Sequence, residues 1–334
     1  MDISCALAPS STTPRDVLRA ERLGYRRAWL YDSPAVYLDV WLTLGQCAEH
    51  TSRIGLGPAV LVPSLRHPMV NAAAIAGLAD RAPGRVAVAI GAGFSGRMAL
   101  GERAMRWSDV ADYIRVLRAL LKGQDVEWNG ATIRMLHPEG YGAARPVDVP
   151  ILVGADGPKG SAVAAELGDG IFSIAIPQPD APTFTSWRAL LTFGTVFDEG
   201  EELTSRRVHD VLAPAAAVVY HATYERGGEA VDVLPGGAEW RKSIEAVPVA
   251  TRHLALHEGH LVEVSERDGP FVGDLLPLVS GMSLTGTPQM IRARLDELEA
   301  AGVTEIAFQP GGHDLGGELQ AFASAAGLGQ GDEP

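Results

Sequence analysis

The stretch that most constrains the fold is residues 150–172, PILVGADGPKGSAVAAELGDGIF, which compresses a strand, a glycine-rich turn, a helix and the start of another strand. Ile151, Leu152 and Val153 form a short apolar run with β-branched bias, the pattern of a parallel strand covered by helices on both faces. Gly154 breaks that strand. Gly154, Gly157 and Gly160 can take positive φ or let a ligand approach the backbone, and Pro158 suits a first helical turn, where its missing N–H costs nothing. The free N–H groups of that turn, with Lys159 beside them, make an anion site suited to a phosphate. The plain alternative is a tight βα turn, common in α/β proteins. The spacing matches neither G-x-G-x-x-G nor the Gly-Lys-Ser/Thr ending of a P-loop, so neither of those nucleotide motifs is present.

The rest of the chain supplies more units of the same kind. Apolar runs at residues 3–8, 27–31, 53–62, 85–90, 170–176, 187–197 and 303–308 add to the first, giving eight strands separated by helices, which favours a (β/α)8 TIM barrel over a doubly wound sheet. Asn129-Gly130 between short apolar runs reads as a hairpin inserted near 126–134. Residues 1–326 are expected to form one barrel domain, with a helical or loop insertion within 200–285 and a polar tail at 327–334. Pro177, Pro179 and Pro182 mark a turn.

In a barrel, the turns after the strands share one face, and there the candidate site residues collect. Asp32 and Ser33 end the second strand, where Asp32 is either a ligand group or a turn former. The third strand carries Gly57-Pro58 in its second half; proline is poorly tolerated in a central strand, so Pro58, Ala59 and Val60 are expected to be bulged or distorted, as backbone beside active sites often is. His67 is a possible base near neutral pH, weighed against a packing residue before a helix-opening proline. Gly91, Ala92, Gly93 and Phe94 form a second glycine-rich turn. His253, His257 and His260 cluster in HLALHEGHL, but without the helical pairing of a zinc motif, so no metal site is expected.

With 334 residues, 46% hydrophobic and 21% charged, the composition is that of a globular protein with a sizeable core. The formal charge of −13 opposes nucleic acid and anionic lipid as partners. Cys5 and Cys47, the two cysteines, are too few for a disulfide framework and lie in apolar segments. The N-terminus has no basic start followed by a long apolar run, and no run of ~18 apolar residues occurs, so a soluble, cytoplasmic protein is expected.

The runs WLYDS, IGLGPAVLVPSLRHP, GRVAVAIGAG, PILVGADGPKGSAVAAELGDGIF and TGTPQMIRARLDELEAAGVTEIAFQP together resemble the bacterial luciferase-like superfamily, and within it the branch of methylenetetrahydromethanopterin reductase and relatives that use coenzyme F420. That resemblance implies a flavin-type ring in the barrel mouth, with its phosphate on the turn that contains Gly154, Ala155, Gly157, Pro158 and Lys159. It also implies a non-prolyl cis peptide at Ala59-Val60 behind the ring, and Asp32, Gly91, Ala92 and Gly93 near the cofactor. Ser33, Phe94, His257 and His260 fall to the substrate side. The pattern departs from the superfamily's glucose-6-phosphate dehydrogenases at Ser33, where they carry His, and at Phe94, where they carry an acidic residue. It departs from the reductase, which has an acidic residue early in its first strand, at Ser4, Cys5 and Ala6. Three functions follow: hydride transfer between F420 and an organic substrate; oxygenation with FMN supplied by a partner flavin reductase; or non-catalytic flavin binding. A small-molecule substrate and a homodimer are the expected partners.

Overall fold

The computed structural model describes residues 1–176 and 186–329. Its strands are β1 (Asp2–Leu7), β2 (Arg27–Leu30), β3 (Gly55–Pro58), β4 (Val88–Gly91), β5 (Val126–Trp128), β6 (Ala131–Ile133), β7 (Ile151–Gly154), β8 (Gly170–Ser173), β9 (Arg188–Phe193) and β10 (Glu305–Gln309). Eight of them form one parallel sheet in the order β3-β2-β1-β10-β9-β8-β7-β4. Single bridges from Leu56 to Val86 and from Leu61 to Ile90 bring its two ends together, so the sheet is a nearly closed (β/α)8 barrel. Between those bridges the β3 side advances by five residues and the β4 side by four, which is a bulge. The Ala59-Val60 peptide inside it is cis. Strands β5 and β6 pair antiparallel outside the barrel, and their turn residues Asn129 and Gly130 have φ of 51° and 79°, the geometry a two-residue hairpin needs.

Alternation along the strands sorts the core into two layers. Cys5, Leu30, Leu56, Val88, Val153 and Phe308 face outward and pack under the helices. Ala6, Ala87, Ala89, Ala189 and Ala307 face inward, and their small side chains leave the lumen to Trp29, whose ring meets Phe172 edge-on at 5.4 Å. Below Trp29 the buried Glu305 carboxylate accepts from Ser4 Oγ (2.5 Å), Trp29 Nε1 (2.9 Å), Arg27 Nη1 (3.0 Å) and Trp187 Nε1 (2.6 Å). A buried carboxylate is tolerated only with such partners, and here they close the lumen at the end away from the loops that follow the strands.

A second apolar cluster belongs to the helical insertion between β9 and β10. Helices Arg206–Gly227, Gly237–Glu245, Arg252–Leu256 and Gly269–Gly281 converge on Tyr220 and Trp240, stacked at 5.3 Å, with Leu212, Leu275 and Val279 around them. The first of these helices runs unbroken for 22 residues despite Pro214, and Ser205 caps it by accepting from the Val208 N–H at 3.3 Å. Arg207 ties its start to the barrel, donating to the Val196 carbonyl (2.8 Å) and Thr195 Oγ1 (2.9 Å) and pairing with Glu201 and Glu318.

Several boundaries differ from those read in the sequence. The sixth barrel strand ends at Ser173 and the seventh at Phe193. At Gly194 φ is 154°, and a Cβ would lie 2.0 Å from the Leu284 carbonyl oxygen, so the chain turns off there. The glycine-rich turn after β4 leads directly into a short helix, Ser95–Met98. The turn at Pro177, Pro179 and Pro182 and the tail from 330 onward lie outside the described residues.

Candidate functional site

The third-strand bulge and the two glycine-rich turns meet at Val60. A Cβ on Gly154 would lie 2.5 Å from Val60 Cγ1, and one on Gly91 would lie 2.8 Å from Val60 Cγ2. Strands β4 and β7 are neighbours, with Gly91 opposite Gly154 in register, so both residues are bare where the Val60 methyls must fit. The valine is partly exposed at the carboxyl ends of the strands, the face on which barrels carry their ligands. Ala59 is buried, and its N–H donates to Leu30 O at 2.8 Å.

Beside this notch the chain leaves β7 and starts helix Pro158–Leu167 with Gly157 as an N-cap that has no side-chain hydrogen bond. The N–H groups of Lys159 and Gly160 have no acceptor within the helix. Asp156, Gly157, Pro158 and Lys159 are exposed and Ala155 is buried. None of Gly154, Gly157 and Gly160 takes positive φ, which corrects one of the two reasons for glycine offered above. Packing explains two of them: Val60 occupies the space at Gly154, and at Gly160 a Cβ would lie 2.5 Å from Trp107. At Gly157 a Cβ would meet nothing within 4 Å, so the fold itself does not demand glycine there. Asp156 Oδ1 turns away from the helix end and accepts from Ser173 Oγ (2.8 Å) and the N–H groups of Ile174 (2.8 Å) and Ala175 (2.9 Å).

Asp32 is buried after β2 and held by Arg66, whose Nη1 reaches both carboxylate oxygens at 2.7 Å. Burial pushes the Asp32 carboxyl above its ordinary value, against the opposing pull of Arg66. Arg66 also pairs with Asp39 at 2.8 Å, and both carboxylates favour its charged form. Arg66, part of the same RHP run as His67, is the partner that sequence reasoning missed. His67 is exposed and caps helix Pro68–Arg81, its Nδ1 accepting from the Met69 N–H at 3.1 Å, while its ring lies edge-on to Trp128 of the hairpin at 6.2 Å. Those contacts point to the hairpin, not to the glycine turns.

The substrate-side candidates come together. Ser33 Oγ lies 2.7 Å from Ser95 Oγ, and the Phe94 ring is 5.9 Å from both the His257 and His260 rings. Ala92 O accepts from the Met105 N–H at 2.8 Å and Gly93 has φ of 85°, which fixes the turn that presents Phe94. His257 Nε2 faces Glu225 Oε1 at 2.9 Å, and Tyr37 donates to His260 O at 2.7 Å, joining the loop after β2 to the insertion. Burial, with His257 and His221 nearby, pushes His260 down to about 3, so it is neutral. Nδ1 of both His257 and His260 lacks a partner among the described residues. Among those residues no group of three His, Cys, Asp or Glu side chains is arranged to hold a metal ion, and no helix is long and apolar enough to cross a membrane.

Comparison with known proteins bears on this arrangement. A family model described as luciferase-like monooxygenase matches residues 10–305. The chain is 27% identical over 301 residues to a 5,10-methylenetetrahydromethanopterin reductase of Archaeoglobus fulgidus, covering 86% of each protein. In fold it is similar to the coenzyme F420 dependent tetrahydromethanopterin reductase of Methanopyrus kandleri, with a TM-score of 0.65 at 18% identity and 97% of each chain covered. A monooxygenase from Streptomyces bottropensis is similar too, with a TM-score of 0.61 at 18% identity, covering 97% of this chain and 98% of that one.

Proposed function

Because the chain belongs to the luciferase-like monooxygenase family, we propose that it is an oxidoreductase that exchanges hydride between coenzyme F420 and an organic substrate. The observation that carries this reading is the Val60 shelf: an apolar side chain seated between Gly91 and Gly154, beside a helix start whose N–H groups have no side-chain cap. An apolar shelf next to an anion-accepting helix end fits a flat ring that carries a phosphate. The similarity to the coenzyme F420 dependent reductase of Methanopyrus kandleri supports F420 over FMN.

Bound there, the deazaflavin supplies the hydride chemistry, and the protein binds, orients and dries it. Val60 supports the ring, with Ala59, Gly91, Ala92 and Gly93 around it. Backbone N–H groups of Lys159 and Gly160 and the Lys159 ammonium take the phosphate, with Gly154, Ala155, Gly157 and Pro158 shaping the turn. Arg66 fixes Asp32, so that the loop carrying Ser33 keeps its place. His257 and His260, both buried, form a wall on the substrate side that excludes water, with the exposed Phe94 ring set against them.

Fluorescence titration of the cofactor-free protein with F420 and FMN separately tests the assignment. Saturable binding of F420 in preference to FMN is expected. Preference for FMN, with oxygen consumed when a flavin reductase is added, would establish the oxygenase reading instead. Tight F420 binding without turnover of any alcohol, aldehyde or ketone offered would point to a non-catalytic cofactor binder.

A further inference from the structure

Asn71, near the start of helix Pro68–Arg81, is fully buried, and each of its side-chain hydrogen bonds has a fixed direction. The indole N–H of Trp41 can only donate, and it reaches Asn71 Oδ1 at 2.9 Å. The amide oxygen is thereby placed, and Nδ2 on the other side donates to the Tyr113 hydroxyl at 2.7 Å. With that bond accepted, the hydroxyl turns its own proton to the Arg66 carbonyl oxygen at 3.1 Å. Burial raises the Tyr113 phenol well above its ordinary value, so the proton stays.

This chain of bonds ends where the site begins. Arg66 holds both oxygens of Asp32 and, through Nη2, Asp39, which caps helix Val40–His50 by accepting from the Leu42 N–H at 2.9 Å. Asp32 in turn accepts from the Val62 N–H at 3.4 Å. Val62 lies two residues past Val60 and has little room to shift: a Cβ on Gly93 would lie 2.9 Å from its Cγ1, and one on Gly96 3.1 Å from its Cγ2. The stretch from Val60 to Arg66 is therefore held near one end by Asp32 and at the other by Tyr113. Trp41, Asn71 and Tyr113 come from three different helices, and Tyr113 belongs to the outer layer of the core. Apolar side chains of similar volume would join those helices without the cost of desolvating an amide. What the amide adds is a direction.

We infer that Asn71 and Tyr113 are positioning residues for the cofactor seat, setting the Arg66 main chain and, through the Arg66–Asp32 pair, the course of the segment that carries Val60. The identity of the ligand rests on the oxidoreductase reading; the coupling from Tyr113 to Asp32 does not.

Tyr113→Phe removes only the hydroxyl and is the principal test. In cofactor-free protein labelled with carbon-13 at the aspartate carboxyls, the Asp32 signal, identified by its loss in Asp32→Asn, is followed against pH. The titratable groups facing it are Arg66, Asp39 and Tyr113, so a loosened Arg66 should raise the Asp32 midpoint by at least about 0.5 pH. F420 affinity, read by fluorescence, should fall about fivefold, the scale of one hydrogen bond. Trp128→Leu is the control. The Trp128 ring meets the Tyr113 ring edge-on at 5.9 Å, so this change loosens packing but keeps the hydroxyl, and both quantities should stay at their wild-type values. Asn71→Leu should move both in the same sense as Tyr113→Phe, which keeps the test decisive should the first variant not fold. An unmoved Asp32 midpoint, a moved midpoint with full F420 affinity retained, or equal changes in Trp128→Leu overturns the proposal. Wild-type protein that fails to bind F420 while Tyr113→Phe still moves the midpoint defeats the choice of F420 and leaves the coupling established.

Discussion

Val60 Cγ1 occupies the space that a side chain on Gly154 would need, with only 2.5 Å between that methyl and the position of a Cβ. Gly157, three residues further along the same turn, has no such neighbour. Two glycines of one motif therefore do different work, one admitting a side chain of the protein and the other leaving the helix end open.

Substitution should separate them. Gly154→Ala forces Val60 to move and is expected to destabilise the fold by about 1–3 kcal/mol, as overpacking does. Gly157→Val should cost no more than about 1 kcal/mol, the scale of an unfavourable N-cap residue, while weakening cofactor binding strongly. Urea unfolding and cofactor titration of both variants check this. Unchanged cofactor affinity in a well-folded Gly157→Val protein would displace the phosphate from this turn.

Removal of the Arg66 guanidinium strands a buried carboxylate. Arg66→Ala should cost about 3–5 kcal/mol near neutral pH, the range for breaking a buried pair. The pH dependence has a definite sign. Asp32 already has a raised folded-state pKa, so its native form binds more protons than the unfolded chain above the ordinary value of 3.8, and stability falls as pH rises through that window. Without Arg66 the folded value climbs further, so the variant's deficit should shrink on acidification. Unfolding curves at a series of pH values would show it; a deficit independent of pH would mean that Asp32 is not the group left uncompensated.

His260 acts in the opposite sense. Its folded-state value of about 3 lies below the ordinary 6.5, so between those limits the unfolded chain binds the extra proton and stability drops as pH falls from about 6.5 toward 3. His260→Gln, neutral throughout, should flatten the part of the acid-denaturation profile that lies in this window. The same slope in both proteins would assign the acid sensitivity to other groups.

The histidine cluster should hold no metal. Elemental analysis after dialysis is expected to find no stoichiometric zinc or iron. One equivalent retained by the native protein and lost when His257 and His260 become alanine would reverse that reading.

Much of this arrangement is visible in the residues because the signals are local. A proline after glycine in an apolar strand announced the disruption at Ala59 and Val60, and Asn129-Gly130 between apolar runs announced the hairpin. What escaped depends on contacts between distant segments. Arg66 matters through Asp32, 34 residues away, and Glu305 through Arg27, 278 residues away, and no periodicity pairs them. Helix Arg206–Gly227 is not delimited within the expected 200–285 insertion, because packing of Leu212, Ala216 and Tyr220 against the rest of the insertion holds it together across Pro214. The absence of a side chain at Gly160 is explained by Trp107, a contact between distant segments that the glycine spacing alone does not show.

The extra residue in the third strand also resets parity. With strict alternation, Leu56 facing the helices would send Pro58 and Val60 to the same side and Leu61 into the lumen. Instead Leu61 packs with Leu56 in the outer layer, while Ala59 and Val60, adjacent in sequence, both belong with the inner one. A regular strand offers the lumen every second side chain; this one offers two in succession at the rim. The barrel thereby gains an inward-facing valine where its neighbours Gly91 and Gly154 offer none, without exposing the leucine that follows.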